Sequence, residues 1–435
     1  MLRAATPNAT SLRSFGPRGC AVAIALICAT LCLLAAGCSG GPTREASRGM
    51  SGAAVGGVRL SITPVGGGID TAPSRGITVS AAGGRISKVI VHTGGDPVTG
   101  RLNAAGTVWR STWALNVSQP YTVTATAAGT SGKPVTRTSS FRTLRPRRTF
   151  SARVIEGYRQ TYGVGMPIIL YFSRPVTNKS AVERALRVRT SKPVIGAWRW
   201  DGHCRTAPEC LYFRPRRYWR PHTRVSFTGH LNGVEAAPGV YGHHTLTQTF
   251  TIGRSLKVVA STARHYMNVY RDGKRFAHWP ISTGKPGDDT PNGTYLTIEK
   301  ANPVDMVGPG YNIEVPLSVR ITWSGDYLHD AFWSVGEQGF ANVSHGCVNM
   351  SPADAAIYYK MAVPGDPVKI TGSPRNGTWD NGWTMWFLPW NRWVRGSALH
   401  KAVRAGPNGS TFVSPHRRRH HRHNTTRNAH TRTRS

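Results

Sequence analysis

Short runs of alternating apolar and polar residues, separated by glycine and proline turns, most restrict the fold of this 435-residue chain. In residues 121–126, Tyr121, Val123 and Ala125 fall on one face of an extended strand and three threonines fall on the other. This period of two is typical of half-buried strands, because successive side chains point to opposite faces of a sheet. With 48 Gly and 29 Pro in the chain, we predict a mainly β, turn-rich protein.

Changes in composition divide the chain, whose length favours more than one domain. Strand-like runs with intervening turns predict two β-sandwich domains, at residues 58–146 and 147–253. A third β-rich domain is predicted at 254–372. A Trp-rich extension follows at 373–410. The remaining segments, at 38–57 and 411–435, are predicted to be a flexible tether rich in Gly, Ser and Ala and a disordered basic His/Arg tail.

The first 37 residues have the layout of a secretory signal. Three arginines precede an apolar run at 20–36, and the segment contains no acidic residue. The run ends in Leu-Ala-Ala-Gly-Cys at 34–38, which resembles a bacterial lipobox and implies lipidation of Cys38. Ordinary cleavage, an uncleaved anchor and a plain membrane helix remain alternatives. Each alternative places the rest of the chain outside the cytoplasm, and the lipobox predicts a lipid anchor in the cell membrane.

Export also sorts the seven cysteines. Three of them leave with the signal and Cys38 would carry lipid, so Cys204, Cys210 and Cys347 remain. Cys204 and Cys210 flank a short loop that an oxidising compartment can close with a disulfide. Cys347 is then the odd thiol, and an unpaired thiol in an exported protein calls for an explanation.

The formal net charge of +35 would ordinarily suggest a nucleic-acid partner. In an exported chain, we instead expect the basic surface and tail to face anionic cell-wall polymers or membrane lipid, through screened Coulomb attraction. No nucleic-acid partner is predicted.

A cysteine with two histidines nearby in sequence is the strongest candidate for chemistry. His345 precedes Cys347 by two positions, and His329 lies fifteen positions before Ser344. A thiol attacks a carbonyl as the thiolate, so a neighbouring imidazole must take its proton. Gly346 lets the backbone approach closely and present N–H groups to a developing oxyanion. By composition alone, a small buried cysteine and a structural histidine are the commoner case.

The string Ser-His-Gly-Cys-Val-Asn at 344–349, with its upstream His329, resembles the signature of L,D-transpeptidases, the YkuD-type enzymes that cross-link peptidoglycan. The strand hairpin near 266–280 and Thr-Pro-Asn-Gly at 290–293 are also similar to that family. The two sandwiches resemble the immunoglobulin-like domains of its actinobacterial lipoprotein members. The resemblance therefore implies two immunoglobulin-like domains, then a YkuD-type catalytic domain with a short helix after Cys347.

The resemblance also implies a role for each matched residue. Cys347 would be the nucleophile and His329 its general base. The backbone N–H groups of His345, Gly346 and Cys347 would form the oxyanion hole. Ser344 would shape the site.

Asn349 matches the other motif position that shapes the site. Asp330 stands where the family often has Ser, and its backbone carbonyl would orient the imidazole. A segment between the Thr-Pro-Asn-Gly turn and His329 would cover the substrate. The substrate contacts proposed there are Met306 and Tyr311, with Trp323 and Trp333 flanking the base.

The implied reaction is acyl transfer between peptidoglycan stem peptides, without metal or cofactor. Cys347 would attack a tetrapeptide donor stem, expel the terminal D-Ala and pass the acyl group to a neighbouring stem as a 3→3 cross-link. Carbapenems would acylate the same thiol. An L,D-carboxypeptidase, in which water resolves the thioester, and a non-catalytic wall-binding protein remain alternatives. A zinc site of His329, His345 and Cys347 fits poorly because of the His-x-Cys spacing.

Two local predictions concern the end of the chain. Ser351, Pro352 and Asp354 predict the start of a helix that reaches about Ala362. Five tryptophans at 379–393 would suit a saccharide platform. We expect them instead to pack on the catalytic domain, because related actinobacterial enzymes carry a similar Trp-rich tail.

Overall fold

The computed structural model describes residues 57–129, 132–202, 204–308 and 310–413. The predicted signal with Cys38, nearly all of the tether and most of the tail lie outside the described residues, and those assignments stay predictions. Strands dominate the described part, so the predicted mainly β fold is confirmed. No helix within the described ranges is long and apolar enough to cross a membrane.

The first sandwich packs two antiparallel sheets on one core. Its strands are β1 (Arg59–Thr63), β2 (Thr78–Ala82), β3 (Arg85–Thr93), β4 (Gly100–Leu102), β5 (Val108–Ser111), β6 (Pro120–Ala128) and β7 (Pro134–Arg142). The sheet orders are β1-β2-β5-β4 and β3-β6-β7. Tyr121, Val123 and Ala125 of β6 are buried in this core, which confirms the predicted alternation.

The second sandwich follows from residue 148. Its elements are β8 (Arg148–Phe150), β9 (Ala152–Val154), β10 (Thr161–Tyr162), β11 (Ile168–Phe172), α1 (Lys179–Arg184), β12 (Leu186–Thr190), β13 (Val194–Asp201), β14 (Glu209–Pro215), β15 (Thr223–Gly229), β16 (Glu235–Ala237), β17 (Val240–Gly242) and β18 (Leu246–Ile252). A disulfide joins Cys204 to Cys210 across the loop before β14, with their Cα atoms 5.8 Å apart.

The predicted catalytic domain contains two sheets and a separate hairpin. Its elements are β19 (Leu256–Ser261), β20 (Tyr266–Arg271), β21 (Lys274–Pro280), β22 (Gly293–Leu296), β23 (Glu299–Ala301), β24 (Val304–Gly308), β25 (Tyr311–Val315), β26 (Ser318–Arg320), β27 (Tyr327–Asp330), β28 (Val348–Met350), α2 (Pro352–Met361) and β29 (Pro367–Thr371). The sheets run β21-β20-β19-β29-β22 and β23-β26-β27-β28, and β24 pairs with β25. Both sheets contribute to one core.

Helix α2 begins where the sequence predicted. The Ser351 hydroxyl accepts a hydrogen bond from the Asp354 N–H at 3.2 Å, and Pro352 is the first helical residue. The helix ends at Met361, with Ala362 as its C-cap, and its buried face carries Ala355 and Tyr358. The helix packs against β27 and so supports the strand that carries His329.

The C-terminal extension packs mainly on the second sandwich, so the prediction that its tryptophans pack on the catalytic domain is wrong for most of them. The extension contains α3 (Trp390–Arg395), β30 (Val403–Gly406) and β31 (Gly409–Phe412). Strand β30 pairs with β13, and the resulting sheet runs β31-β30-β13-β14-β11-β9. The predicted boundary at residue 410 therefore falls inside a strand.

Tryptophans of the extension complete the core of the second sandwich. Trp393 is fully buried, and its Nε1–H donates to the Ala197 carbonyl at 2.9 Å. Trp386 donates to the Gly165 carbonyl at 2.8 Å. Phe387, in contrast, lies edge-on against Tyr295 of the catalytic domain. The extension therefore ties the second sandwich to the catalytic domain.

Removing the Trp393 ring should destabilise the whole chain. Trp393→Ala leaves a ring-sized cavity and an unpaired Ala197 carbonyl, so we expect a loss of about 3–5 kcal/mol in the free energy of unfolding. Differential scanning calorimetry of the purified chain measures the loss. Trp333→Ala is the matched control, because that ring is 42% exposed and its removal should change the melting temperature little. Equal melting temperatures for the two variants would contradict this account.

Candidate active site

The parallel pairing of β27 with β28 brings the upstream histidine to the cysteine motif. In this register His329 lies opposite Asn349, and Leu328 lies opposite Val348. Because side chains alternate along a strand, Leu328 and Val348 enter the core, whereas His329, Cys347 and Asn349 share the other face. All three of these residues line one cavity of about 350 Å³.

The His329 imidazole is held by the backbone of the next residue. Its Nδ1 lies 2.6 Å from the Asp330 carbonyl oxygen. Because a carbonyl only accepts, Nδ1 carries the proton and Nε2 has a free lone pair. Burial lowers the pKa of His329 to about 4, although the bond to Asp330 acts in the opposite direction. The ring is therefore neutral at neutral pH and able to accept a proton.

The Cys347 thiol is protonated at rest. Burial and, second, the charge of Asp326 raise the pKa of Cys347 to about 12, against the opposing effect of the Tyr327 backbone. The residue is half-buried, and its Sγ lies 3.7 Å from the Gly325 carbonyl. A neutral thiol beside a neutral imidazole suits proton transfer during attack rather than a preformed ion pair.

The loop before Cys347 is held by hydroxyl groups. The Ser344 hydroxyl donates to the Cys347 carbonyl at 2.7 Å and accepts from the Gly346 N–H at 3.1 Å. The Thr290 hydroxyl donates to the Gly346 carbonyl at 2.8 Å, so the Thr-Pro-Asn-Gly turn supports this loop directly. Gly346 has a φ of 126°, and an added Cβ would lie 2.6 Å from Asp326 Oδ1. No larger residue fits there without a shift.

The remaining motif residue, Asn349, fixes the segment after His329. Its side-chain amide donates to the Ser334 hydroxyl at 2.9 Å, and its backbone pairs with Ser282. Ser334 belongs to the short 3-10 turn that follows His329. Asn349 therefore orients the connector rather than the thiol.

The hairpin β24–β25 forms one wall of the cavity. Met306 and Tyr311, two predicted substrate contacts, both line it. The Tyr311 ring stacks on the His345 imidazole with centroids 4.8 Å apart. Lys285 Nζ lies 2.9 Å from His345 Nε2 on the exposed side. The His345 side chain thus joins the motif loop to the hairpin, a role that the sequence did not reveal.

The two tryptophans expected to flank the base separate in the structure. Trp333 stacks on His329 with ring centroids 5.9 Å apart and lines the cavity. Trp323 instead lies edge-on against Trp383 of the C-terminal extension, so its predicted place beside the base is wrong. Among the described residues, no group of three His, Cys, Asp or Glu side chains is arranged to hold a metal ion.

Asp326 is a site residue that sequence reasoning missed. Its carboxylate is enclosed behind the motif loop, where Thr322 and Ser324 hydroxyls donate to Oδ2 at 2.6 and 3.3 Å. Burial raises the pKa of Asp326, and these hydrogen bonds oppose the rise. The available signal was an acid three residues before His329 in a Ser-Gly turn. Its charge acts on Cys347 across the loop.

Neutralising Asp326 should make the thiol more acidic. Asp326→Asn removes a negative charge that disfavours the thiolate, so we expect the pKa of Cys347 to fall and alkylation by iodoacetamide at pH 8 to become faster. The measurement is the alkylation rate as a function of pH. Asp305→Asn, on the exposed side of the hairpin, serves as the control. An unchanged pH profile in Asp326→Asn would show that the carboxylate does not influence the thiol.

Two family models of known proteins match this chain. A family model described as a bacterial Ig domain matches residues 69–235, and one described as the L,D-transpeptidase catalytic domain matches residues 255–370. L,D-transpeptidase 2 of Mycobacterium tuberculosis is 31% identical over 353 residues, which cover 78% of this chain and 85% of that protein. This chain belongs to the L,D-transpeptidase family.

Further L,D-transpeptidases show the same similarity. L,D-transpeptidase 5 of Mycobacterium tuberculosis is 33% identical over 350 residues, covering 78% of this chain and 77% of the relative. A solved structure of an L,D-transpeptidase in complex with imipenem is 36% identical, covers 52% of this chain and all of its own, and has a TM-score of 0.44. The bacterial Ig match crosses the junction of the two sandwiches of this L,D-transpeptidase.

Proposed function

We propose that this L,D-transpeptidase cross-links peptidoglycan stem peptides through a thioester on Cys347. One observation carries the proposal: a buried, neutral His329, fixed through Nδ1 on the Asp330 carbonyl, shares a cavity with the free thiol. That arrangement is what general-base activation of a cysteine needs. Cys204 and Cys210 form a disulfide, so Cys347 is the free thiol among the described residues.

The first half-reaction forms the thioester. The Cys347 sulfur attacks the carbonyl of the third residue of a tetrapeptide donor stem while His329 Nε2 takes the thiol proton. The tetrahedral intermediate collapses, the bond to the terminal D-Ala breaks, and His329 returns the proton to the leaving amine. The acyl group remains on sulfur.

The second half-reaction releases the product. An amine on the third residue of a neighbouring stem attacks the thioester and gives its proton to His329. The carbon–sulfur bond breaks, the sulfur regains the proton, and a 3→3 cross-link results. Each step uses the one imidazole alternately as base and acid.

Backbone N–H groups next to the thiol would stabilise the oxyanion. The Gly346 N–H is already bonded to the Ser344 hydroxyl, which departs from the predicted three-donor hole. We propose that the N–H groups of His345 and Cys347 serve as donors, with Gly346 turning the backbone toward the substrate.

Tyr311 is proposed to hold the donor stem against the motif loop. In Tyr311→Ala the stacking with His345 is lost, and we expect KM for a tetrapeptide donor to rise about tenfold, on the order of one lost aromatic contact. The alkylation rate of Cys347 by iodoacetamide should change little, since the small reagent does not need this wall. Steady-state kinetics separate the two effects. Phe276→Ala, an exposed aromatic on β21, is the control.

Incubation with tetrapeptide-bearing muropeptides tests the function itself. We expect mass spectrometry to show disaccharide-peptide dimers joined by a 3→3 bond, with release of D-Ala. Tripeptide products without dimers would show that water resolves the thioester and would replace the proposal by an L,D-carboxypeptidase. If the wild-type chain turned over no muropeptide, the proposal would be replaced by a non-catalytic wall-binding protein.

The cellular place of the enzyme is also a proposal. A membrane-anchored enzyme facing the cell wall would meet stem peptides directly, and its basic surface would face anionic wall polymers or lipid. The predicted signal and Cys38 lie outside the described residues. Radiolabelled fatty-acid incorporation into the expressed chain, compared with Cys38→Ala, tests the anchor.

A further inference from the structure

Three arginines line one cavity between the two sandwich domains. Arg101 of β4, Arg110 of β5 and Arg187 of β12 surround a volume of about 410 Å³. Arg101 and Arg110 lie directly opposite each other on neighbouring strands. Like charges placed in this way destabilise a sheet. An anion bound between them would remove that cost.

Arg187 is held in place by neutral groups. Its Nη1 donates to the carbonyls of Arg184 and Leu186 at 3.2 and 2.8 Å. Its guanidinium lies 4.4 Å from the centre of the Trp113 ring, whose other neighbour is His230, stacked at 3.9 Å. Burial and the nearby charge of Arg101 lower the pKa of Arg187. The Arg187 guanidinium is therefore held in place before any anion binds, without a carboxylate partner.

The acidic residue in this cavity accepts hydrogen bonds from other parts of the protein. Glu183 lines the same space but is 1% exposed. Its Oε1 accepts from Trp200 Nε1 at 2.7 Å and from the Ala398 N–H at 2.6 Å, and its Oε2 accepts from the Ser397 hydroxyl at 2.7 Å. In the described part of the chain, no salt bridge involves any of the three arginines.

The cavity continues along the junction of the sandwiches. A second cavity of about 460 Å³ shares Arg110 and the three residues after it with the first. Arg75 and Arg184 line this second space, and its acid, Glu235, accepts from the Gly239 N–H at 2.8 Å. The two cavities form a groove with five arginines and two acids. A series of cations along a groove suits a chain of anions, and its concave shape does not fit a flat membrane.

We propose that this junction groove binds a linear polymer that carries phosphodiester or carboxylate groups along its length. Guanidinium groups pair with both oxyanions through two parallel hydrogen bonds. Such binding would hold the catalytic domain beside the polymer network. The proposal rests on the proposed function only for the assignment of the polymer to the cell wall, because the groove lies outside the catalytic cavity.

Titration calorimetry with two defined polymers tests the groove. The probes are a glycerol phosphate oligomer and an oligogalacturonate, which distinguish phosphodiester from carboxylate, with neutral dextran as the blank. For a variant with Arg101, Arg110 and Arg187 all changed to Gln, we expect affinity for the preferred polymer to fall roughly 30-fold at low salt. The slope of log K against log salt should become about two units less steep.

Two further variants control for the loss of charge and for misfolding of the triple variant. Changing the exposed Arg59, Arg137 and Arg271 to Gln removes the same charge from other faces and should leave the affinity within about threefold. The double change Arg101→Gln and Arg110→Gln leaves the contacts of the half-buried third arginine intact. It should still weaken binding about tenfold, even if the triple variant folds poorly.

Three outcomes would overturn the proposal. The first is equal affinity of the triple groove variant and the triple control for both polymers. The second is failure of wild type to bind either polymer above dextran, and the third is tighter binding to a short DNA duplex than to either. Cys347→Ala should bind as wild type does, so a failed transpeptidase assay and a failed groove remain distinguishable.

Discussion

Cys347→Ala should form no covalent adduct with meropenem and should lose muropeptide turnover by at least about 10⁴-fold, because the proposed reaction has no other nucleophile. The intact mass of residues 39–435 after meropenem exposure measures the adduct directly. Wild type should gain one carbapenem and the variant none. The remaining cysteines of this segment are joined by a disulfide, so they do not compete.

Two further variants control this result. Cys347→Ser replaces the thiol by a hydroxyl of similar size, and its melting temperature should match that of wild type. Ser410→Ala changes a serine in β31, far along the chain from Cys347. Meropenem should acylate this variant as it does wild type. A meropenem adduct on Cys347→Ala would place the nucleophile elsewhere and contradict the proposed mechanism.

His329→Ala should slow acylation about 10³-fold, the effect of removing a positioned general base. In wild type, we expect the rate to be constant between about pH 5 and 8 and to fall as the pH drops through about 4. The rate falls at low pH because the imidazole is neutral above its pKa and protonated below it. A protonated imidazole cannot act as a base. With the pKa of Cys347 near 12, free thiolate contributes nothing in this range.

The pH profile distinguishes two modes of activation. A preformed thiolate–imidazolium pair would keep its reactivity toward iodoacetamide at pH 5, well below the ordinary pKa of a thiol. The neutral pair implied by the lowered pKa of His329 and the raised pKa of Cys347 should react slowly with iodoacetamide at that pH. His278→Ala, an exposed histidine stacked on Tyr266, is the control and should leave the profile unchanged. Rapid alkylation at pH 5 that depends on His329 would contradict the neutral-pair account.

Several features could be predicted from the sequence because their physics is local. The alternation in β6 depends on neighbouring residues, and the start of α2 depends on one cap and one proline. The Asp272-Gly273 turn between β20 and β21 has positive φ at both residues, a conformation that this dipeptide favours in a two-residue hairpin loop. The six-residue cysteine motif with His329 likewise predicted the family, which the matches to L,D-transpeptidases confirm.

Tertiary structure alone decided where distant segments meet. Strand β30 pairs with β13 about 200 residues earlier, and no local pattern shows which sheet edge is open to it. Trp323 and Asp326 are three residues apart, yet one packs on the extension and the other lies behind Cys347. The arginine groove likewise exists only where two sandwiches adjoin. Local periodicity sets the strands, whereas the surfaces left uncovered after folding determine their partners and the charges that surround the site.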